Sequence, residues 1–260
     1  MAIVAIIPAR FASTRFPGKP LAEIGGKPMV QHVYERAATA RRVDRVLVAT
    51  DDERIAAAVR AFGGTAVLTA ANHATGSDRI AEAAAGIEAA IVVNVQGDEP
   101  MLDPAAIDAA VEPLLADPDL EIATLSSPLT LDELLSTSVV KVVTARNGRA
   151  LYFSRSPIPF VRTGDASGPR ESAALAVARG LARKHVGLYA FRRAALARFV
   201  ALPPSPLEQA ESLEQLRALE NGMSIGVVAV NGAEGVAVDT PEDLVRVRAL
   251  LGASRQGGMS

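Results

Sequence analysis

Short apolar runs rich in isoleucine and valine recur along the chain: Ala2 to Ile7, Arg45 to Ala49, Ile91 to Val95, Val139 to Val143 and Ile225 to Val230. Alternation of apolar and polar residues is largely absent within them, which predicts strands buried on both faces. Between them, Pro28 to Ala40, Glu53 to Phe62, Pro104 to Leu115 and Pro241 to Leu251 carry the period of amphipathic helices. Asp103-Pro104 and Thr240-Pro241 each place a capping residue before a proline suited to the first helical turn, and Gly63-Gly64 follows a helix end. Strand, helix, strand in this order predicts an α/β fold with a mainly parallel sheet flanked by helices.

Two stretches depart from that pattern. Between residues 150 and 192, "ALYFSRSPIPFVR" and "HVGLYAF" read as antiparallel strands around a polar, Gly- and Ala-rich insert from Thr163 to Lys184. The expected organisation is a single α/β domain over 1–251 with an inserted lobe at about 150–200 and a flexible tail, 252–260. The second stretch, Ser205 to Gly222, begins with Ser205, Pro206 and Glu208 in capping-box positions and ends at glycine, and reads as one helix. Along that helix Glu211, Glu214 and Gln215 would share a polar face, either as solvated surface or as a sugar-recognition edge.

Composition narrows the function. The 260 residues are 49% hydrophobic and 22% charged, ordinary globular usage, with a net charge of -2 and no basic excess to hold a nucleic acid. Without cysteine there is no disulfide framework, thiolate nucleophile or cysteine-based zinc site. "AIVAII" is too short to span a bilayer and lacks the basic start of a signal peptide, so a cytoplasmic protein with no membrane insertion is expected.

Charge gathers where the strands end. In open α/β sheets ligands bind beyond the carboxyl ends of the strands. After the first run comes "IPARFASTRFPGKPL", with Arg10, Arg15 and Lys19 and no acidic residue before Glu23. After the second come Asp51 and Asp52, after the third "QGDEP" with Asp98, and near the end "GVAVD" with Asp239. Cations in the first loop suit a polyphosphate, since arginine offers a fork to phosphate oxygens and lysine a mobile point charge. A solvated basic loop is the alternative. The loop has neither the Walker A spacing nor G-x-G-x-x-G, which weighs against ATPase and dehydrogenase functions. Asp98 and Asp239 are the best metal candidates because magnesium prefers a few carboxylate oxygens with waters and phosphate oxygens. Each also has a bland role, Asp98 in a turn and Asp239 before a helix. On an extended segment His185 and Tyr189 point to one face with Gly187 between them; a structural histidine is the plainer alternative, and Arg155 is equally ambiguous.

Taken in order, "IPARFASTRFPGKPL", "VATDD", "NHATGSDR", "VNVQGDEP", "VVKVV", "ALYFSR", "HVGLY", "SPLEQAESLEQLR" and "VDTPEDL" resemble the motifs of the 3-deoxy-manno-octulosonate cytidylyltransferases, or CMP-Kdo synthetases, over most of residues 2 to 250. The resemblance implies a Rossmann-like nucleotidyltransferase fold, glycosyltransferase-A-like, with a smaller antiparallel lobe for sugar binding and dimerisation. It implies transfer of CMP from CTP to the anomeric hydroxyl of Kdo, with release of pyrophosphate, in lipopolysaccharide biosynthesis. By the same resemblance Arg10, Ser13, Arg15, Lys19, Arg79 and Asp98 hold the nucleotide, and Asp98 and Asp239 carry Mg2+. Catalysis falls to Arg10, Lys19, Asp98 and Asp239, and Gln96, Arg155, His185, Tyr189, Glu211, Glu214 and Gln215 contact the sugar. A homodimer is implied as well. The insert from Thr163 to Lys184 matches none of the family's motifs. A cytidylyltransferase for another acid sugar, such as sialic acid, and a catalytically silent nucleotide-binding regulator are the competing functions.

Overall fold

The computed structural model describes residues 1–12, 16–162, 168–231 and 235–256. Ser13 and Arg15, two of the nucleotide-binding expectations, lie outside them. The chain folds as two compact units, residues 1–108 with 234–260, and residues 109–233.

The first unit opens with β1 (Ile3–Ala9), followed by a 3-10 turn at Lys19–Leu21 and the small antiparallel pair β2 (Glu23–Ile24) and β3 (Lys27–Pro28). α1 (Met29–Ala38), β4 (Arg45–Thr50), α2 (Glu53–Ala61), β5 (Ala66–Leu68), α3 (Gly76–Ala85) and β6 (Ile91–Asn94) follow. The strands stand in the order β6-β1-β4-β5, all parallel. Val4, Ala5, Ile6 and Ile7 have no exposed surface, and neither do Ile91, Val92 and Val93, so these strands are apolar on both faces, as the unalternating runs predict. Parallel registry, with Ala9 opposite Thr50 and Ile6 opposite Asn94, carries the segments after β1, β4 and β6 to the same edge. α4 (Pro104–Ala116) contains the division between the units.

The second unit continues with β7 (Ile122–Ser127), α5 (Leu131–Leu135), β8 (Lys141–Thr144), β9 (Ala150–Ser154), α6 (Pro169–Ala178) and β10 (Arg183–Arg192). After α7 (Arg193–Ala201) come α8 (Pro206–Glu211), α9 (Gln215–Glu220) and β11 (Ile225–Ala229). β7 lies parallel to β11 and antiparallel to β10, while β8 is antiparallel to both β10 and β9. The insert contains α6, whose Ala173 and Ala176 pack with Leu129, Leu134, Val161 and Ala182. The chain then returns to the first unit with α10 (Pro241–Gln256), which buries Leu244 and Val247 against Ile24, Met29 and Val238. Gly252 to Gln256, expected in the tail, are helical.

One helix expected from the sequence is two. α8 stops at Glu211, and Ser212 takes φ 52°, the left-handed region that serine enters at a cost. Tertiary contacts decide the break. The Glu211 carboxylate accepts from Ser154 Oγ at 2.6 Å and Arg155 N–H at 2.9 Å, while Leu213 is 6% and Leu216 0% exposed. Arg155 Nε donates to Glu211 O at 2.8 Å and Nη2 to Ser212 O at 3.4 Å, satisfying carbonyls that the broken helix leaves open. Glu211 therefore ends α8 and Gln215 begins α9, and the continuous polar face over Glu211, Glu214 and Gln215 does not exist.

Candidate active site

At the carboxyl edge of the first unit's sheet lies a cleft of about 420 Å3. Arg10, Lys19, His73, Arg79, Gln96, Asp98 and Asp239 line it, together with Pro8, Ala9, Gly76 and Gly97. Five separate sequence segments meet there because three parallel strands end side by side and α10 begins beside them.

Each segment is built to hold its position. Gly18, at φ 72°, donates its N–H to Phe11 O at 2.9 Å and closes the loop after β1, which sets Lys19 at the start of the 3-10 turn. The Arg54 guanidinium lies 3.4 Å from the Phe11 ring centroid and is itself forked onto Asp52 at 2.9 and 2.6 Å. Asp52 also caps α2 through Arg54 N–H, and these bonds hold its carboxyl below the usual range. In the "QGDEP" turn a β-carbon on Gly97 would stand 2.9 Å from Pro8 O and 3.4 Å from Ile7 Cγ2, so only glycine lets the turn approach β1 this closely. Val238 N–H donates to Asp98 O at 2.8 Å, tying the segment before α10 to that turn. Thr240 and Asp243 then form reciprocal capping bonds, which leave the Asp239 side chain just ahead of the helix.

Two carboxylates 141 positions apart in the chain thereby reach one cation. Lys19 Nζ donates to Asp98 Oδ2 at 2.8 Å and to Asp239 Oδ1 at 3.5 Å, with the lysine side chain 15% exposed. Arg79, 3% exposed, donates to Thr69 Oγ1 at 2.6 Å and stands 3.2 Å from Asp51 Oδ1, so its guanidinium is fixed at the cleft wall. His73 is a functional candidate that sequence reasoning misses, although it stands in "NHATGSDR"; it lines the cleft and contacts Glu82, which also accepts from Ala70 N–H. That histidine contact comes first among the causes holding the Glu82 carboxyl low. The α3 N-terminus at Thr75 and Gly76 adds its positive end to the same wall.

Gln96 lies in the cleft, whereas the other expected sugar residues belong to the second unit. There His185 and Tyr189 share a face, ring centroids 5.4 Å apart, with Phe153 5.0 Å from His185. The register of β10 shifts between Val186 and Tyr189, at Gly187, and Thr124 Oγ1 lies 3.1 Å from Val186 O and 2.9 Å from Leu188 O. The same hydroxyl lies 3.0 Å from His185 Nε2, so it joins the imidazole to the bulged backbone of β10. Burial pushes His185 down to about 4 and Tyr189 well above its usual value, so at neutral pH both are uncharged. Burial also raises Glu211, but bonds from Ser154, Arg155 N–H and Tyr152 outweigh it and hold the carboxyl low. The Arg155 guanidinium donates to three backbone carbonyls, those of Thr137, Glu211 and Ser212. Gln215 is 8% exposed and its Nε2 has no partner among the described residues.

The depressed His185 value has a testable sign. Unfolded, the imidazole binds a proton near its ordinary value of 6.5; folded, only near 4. Stability from the neutral, buried form is full above 6.5 and is lost as pH falls toward 4, by up to about 3 kcal/mol. Urea unfolding at pH 7.5 and pH 4.5 is expected to show this fall, and His185→Gln is expected to flatten it.

A parallel sheet whose carboxyl edge gathers cations and two carboxylates defines a nucleotidyltransferase-type site, and the family model described as Cytidylyltransferase matches residues 4–225. The 3-deoxy-manno-octulosonate cytidylyltransferase of Geobacter metallireducens is 58% identical over 248 residues, covering 95% of this chain and 96% of that protein. A homologue of that description from Solibacter usitatus is 50% identical over 258 residues, covering 99% and 97%. Among solved structures, a CMP:2-keto-3-deoxy-manno-octonic acid synthetase complexed with CTP aligns at TM-score 0.88 and 45% identity over 98% of this chain and all of that one. The chain belongs to the 3-deoxy-manno-octulosonate cytidylyltransferase family.

Proposed function

We propose that the chain transfers CMP from CTP to the anomeric hydroxyl of Kdo, giving CMP-Kdo and pyrophosphate for lipopolysaccharide biosynthesis. The hydroxyl oxygen attacks the α-phosphorus, its proton passes to solvent, and the bond from that phosphorus to the bridging oxygen breaks with pyrophosphate leaving. The observation that carries this is the convergence of Lys19, Asp98 and Asp239 in a cleft also lined by Arg10 and Arg79. The CTP held by the 45% identical synthetase supports the nucleotide assignment.

An attacking sugar oxygen and a triphosphate repel one another, so catalysis here is mostly positioning and charge neutralisation. Arg10 and Lys19 stabilise the departing pyrophosphate, and Arg79 holds the nucleotide from the cleft wall. Asp98 and Asp239 would hold Mg2+: two carboxylates already share the Lys19 ammonium, and such a hard oxygen donor pair suits a magnesium ion that keeps waters and phosphate oxygens as its other ligands. When bound, the ion supplies charge neutralisation at phosphate and a lowered hydroxyl pKa. In the second unit His185, neutral, offers its imidazole to a sugar hydroxyl. Gln215 offers its Nε2, which has no partner among the described residues, and Glu211 and Arg155 set a polar edge of the same unit. The family resemblance supports a cytoplasmic homodimer. Among the described residues no helix is long and apolar enough to cross a membrane.

Pyrophosphate release measured with each of the four nucleoside triphosphates, against Kdo and N-acetylneuraminate, tests the assignment. Release is expected with CTP and Kdo alone. Turnover with the sialic acid instead, or no release with any pair in the presence of magnesium, would overturn it.

A further inference from the structure

Lys141, at the start of β8, is among the largest of the described side chains with essentially no exposed surface. An ammonium carries three N–H donors, and here each has a backbone carbonyl: Ser136 O at 2.8 Å, Val139 O at 2.7 Å and Arg155 O in close contact. The cation thus ties the turn between α5 and β8 to the residue that follows β9. Burial pushes its pKa down, while the nearby Glu211 carboxylate opposes that fall.

Both segments it joins bear on the residues assigned to the sugar. From the turn, Thr137 O accepts from Arg155 Nη1 at 3.1 Å. From the far side, Arg155 N–H and Ser154 Oγ grip the two oxygens of Glu211, and the Arg155 side chain caps α8 where Ser212 turns left-handed. We propose that Lys141 is a positioning residue for the acceptor sugar, fixing the carbonyls of Ser136, Val139 and Arg155 so that Arg155 and Glu211 stand where the sugar needs them. This rests on the reading that the second unit binds Kdo. Removing the ammonium takes a donor from three part-buried carbonyls and leaves the turn tied to the residue after β9 mainly by the Arg155 to Thr137 bond, so Arg155 and Glu211 are held less firmly.

A lysine serving the fold alone would, on removal, impair both substrates together. The test is steady-state kinetics on Lys141→Met, with the melting temperature and CTP affinity measured on that variant. The expected result is a loss of roughly 10- to 100-fold in kcat/KM for Kdo, the range for residues that orient a ligand shell, with the KM for CTP within about twofold of the parent. Lys141→Arg, which keeps the charge and donors, is expected to recover part of the Kdo loss, and it stands in if the methionine variant does not fold. A folded variant with an unchanged kcat/KM for Kdo, a parallel rise in the CTP KM, or failure of both variants to fold would overturn the assignment. Failure of the underlying reading looks different, since the parent protein itself would then release no pyrophosphate with CTP and Kdo.

Discussion

Replacing Asp98 and Asp239 together by alanine is expected to lower kcat by roughly three orders of magnitude or more while the protein stays folded. Both side chains are partly exposed, at 29% and 45%, and their contacts to Lys19 are partly solvated ion pairs worth about 1 kcal/mol or less to stability. If the pair holds Mg2+ as proposed, loss of the carboxylates removes a contribution worth several kcal/mol from the reaction. The difference in scale makes the result readable: pyrophosphate release should collapse while the melting temperature moves by only a few degrees. Binding of Mn2+, followed by electron paramagnetic resonance in the presence of CTP, should weaken in parallel. Unaltered turnover in the double variant would sink the assignment.

Lys19→Ala should also cut kcat, by about 100- to 1,000-fold or about 2.7 to 4 kcal/mol in the barrier, because the departing pyrophosphate loses a cation in a sheltered site. Its effect on the metal should have the opposite sign. In the structure the ammonium sits against the oxygens of Asp98 and Asp239. Without it the two carboxylates repel each other and attract a divalent ion more strongly, so Mn2+ affinity without nucleotide should rise or hold. An enzyme with normal kcat would remove Lys19 from the chemistry, and a variant that lost turnover and metal together would make it part of the metal site's architecture instead.

How much of the fold is legible in the sequence depends on where each residue's energy comes from. β1, β4 and β6 are legible because they are covered on both faces and spell that burial in apolar runs rich in Ile and Val. β7 is not, although all its residues are buried: Thr124, Ser126 and Ser127 read as polar, and only bonds such as Thr124 Oγ1 to Leu188 O at 2.9 Å make them core residues. The break at Ser212 is equally hidden, since the local pattern continues through it and the deciding partners, Ser154 and Arg155, lie more than fifty positions upstream. In the site, the types of residue are visible at strand ends, but their assembly is not. Nothing in the spacing of Asp98 and Asp239 says that both meet Lys19; that follows from strand order and from the Val238 to Asp98 backbone bond. Arg155 illustrates the reverse, an arginine that looks available in the sequence and whose guanidinium donates to three carbonyls of its own chain.

Gly97 has a consequence for how this enzyme can change. An exposed cation of the cleft such as Arg10 has slack, because an exchange of arginine for lysine there can be absorbed by rotamers. The turn beside Pro8 has none, since even a methyl group there would meet backbone oxygen at 2.9 Å and push Asp98 away from its partners. Within the cleft, the position with the least room for evolutionary drift is thus one that contributes no functional group at all.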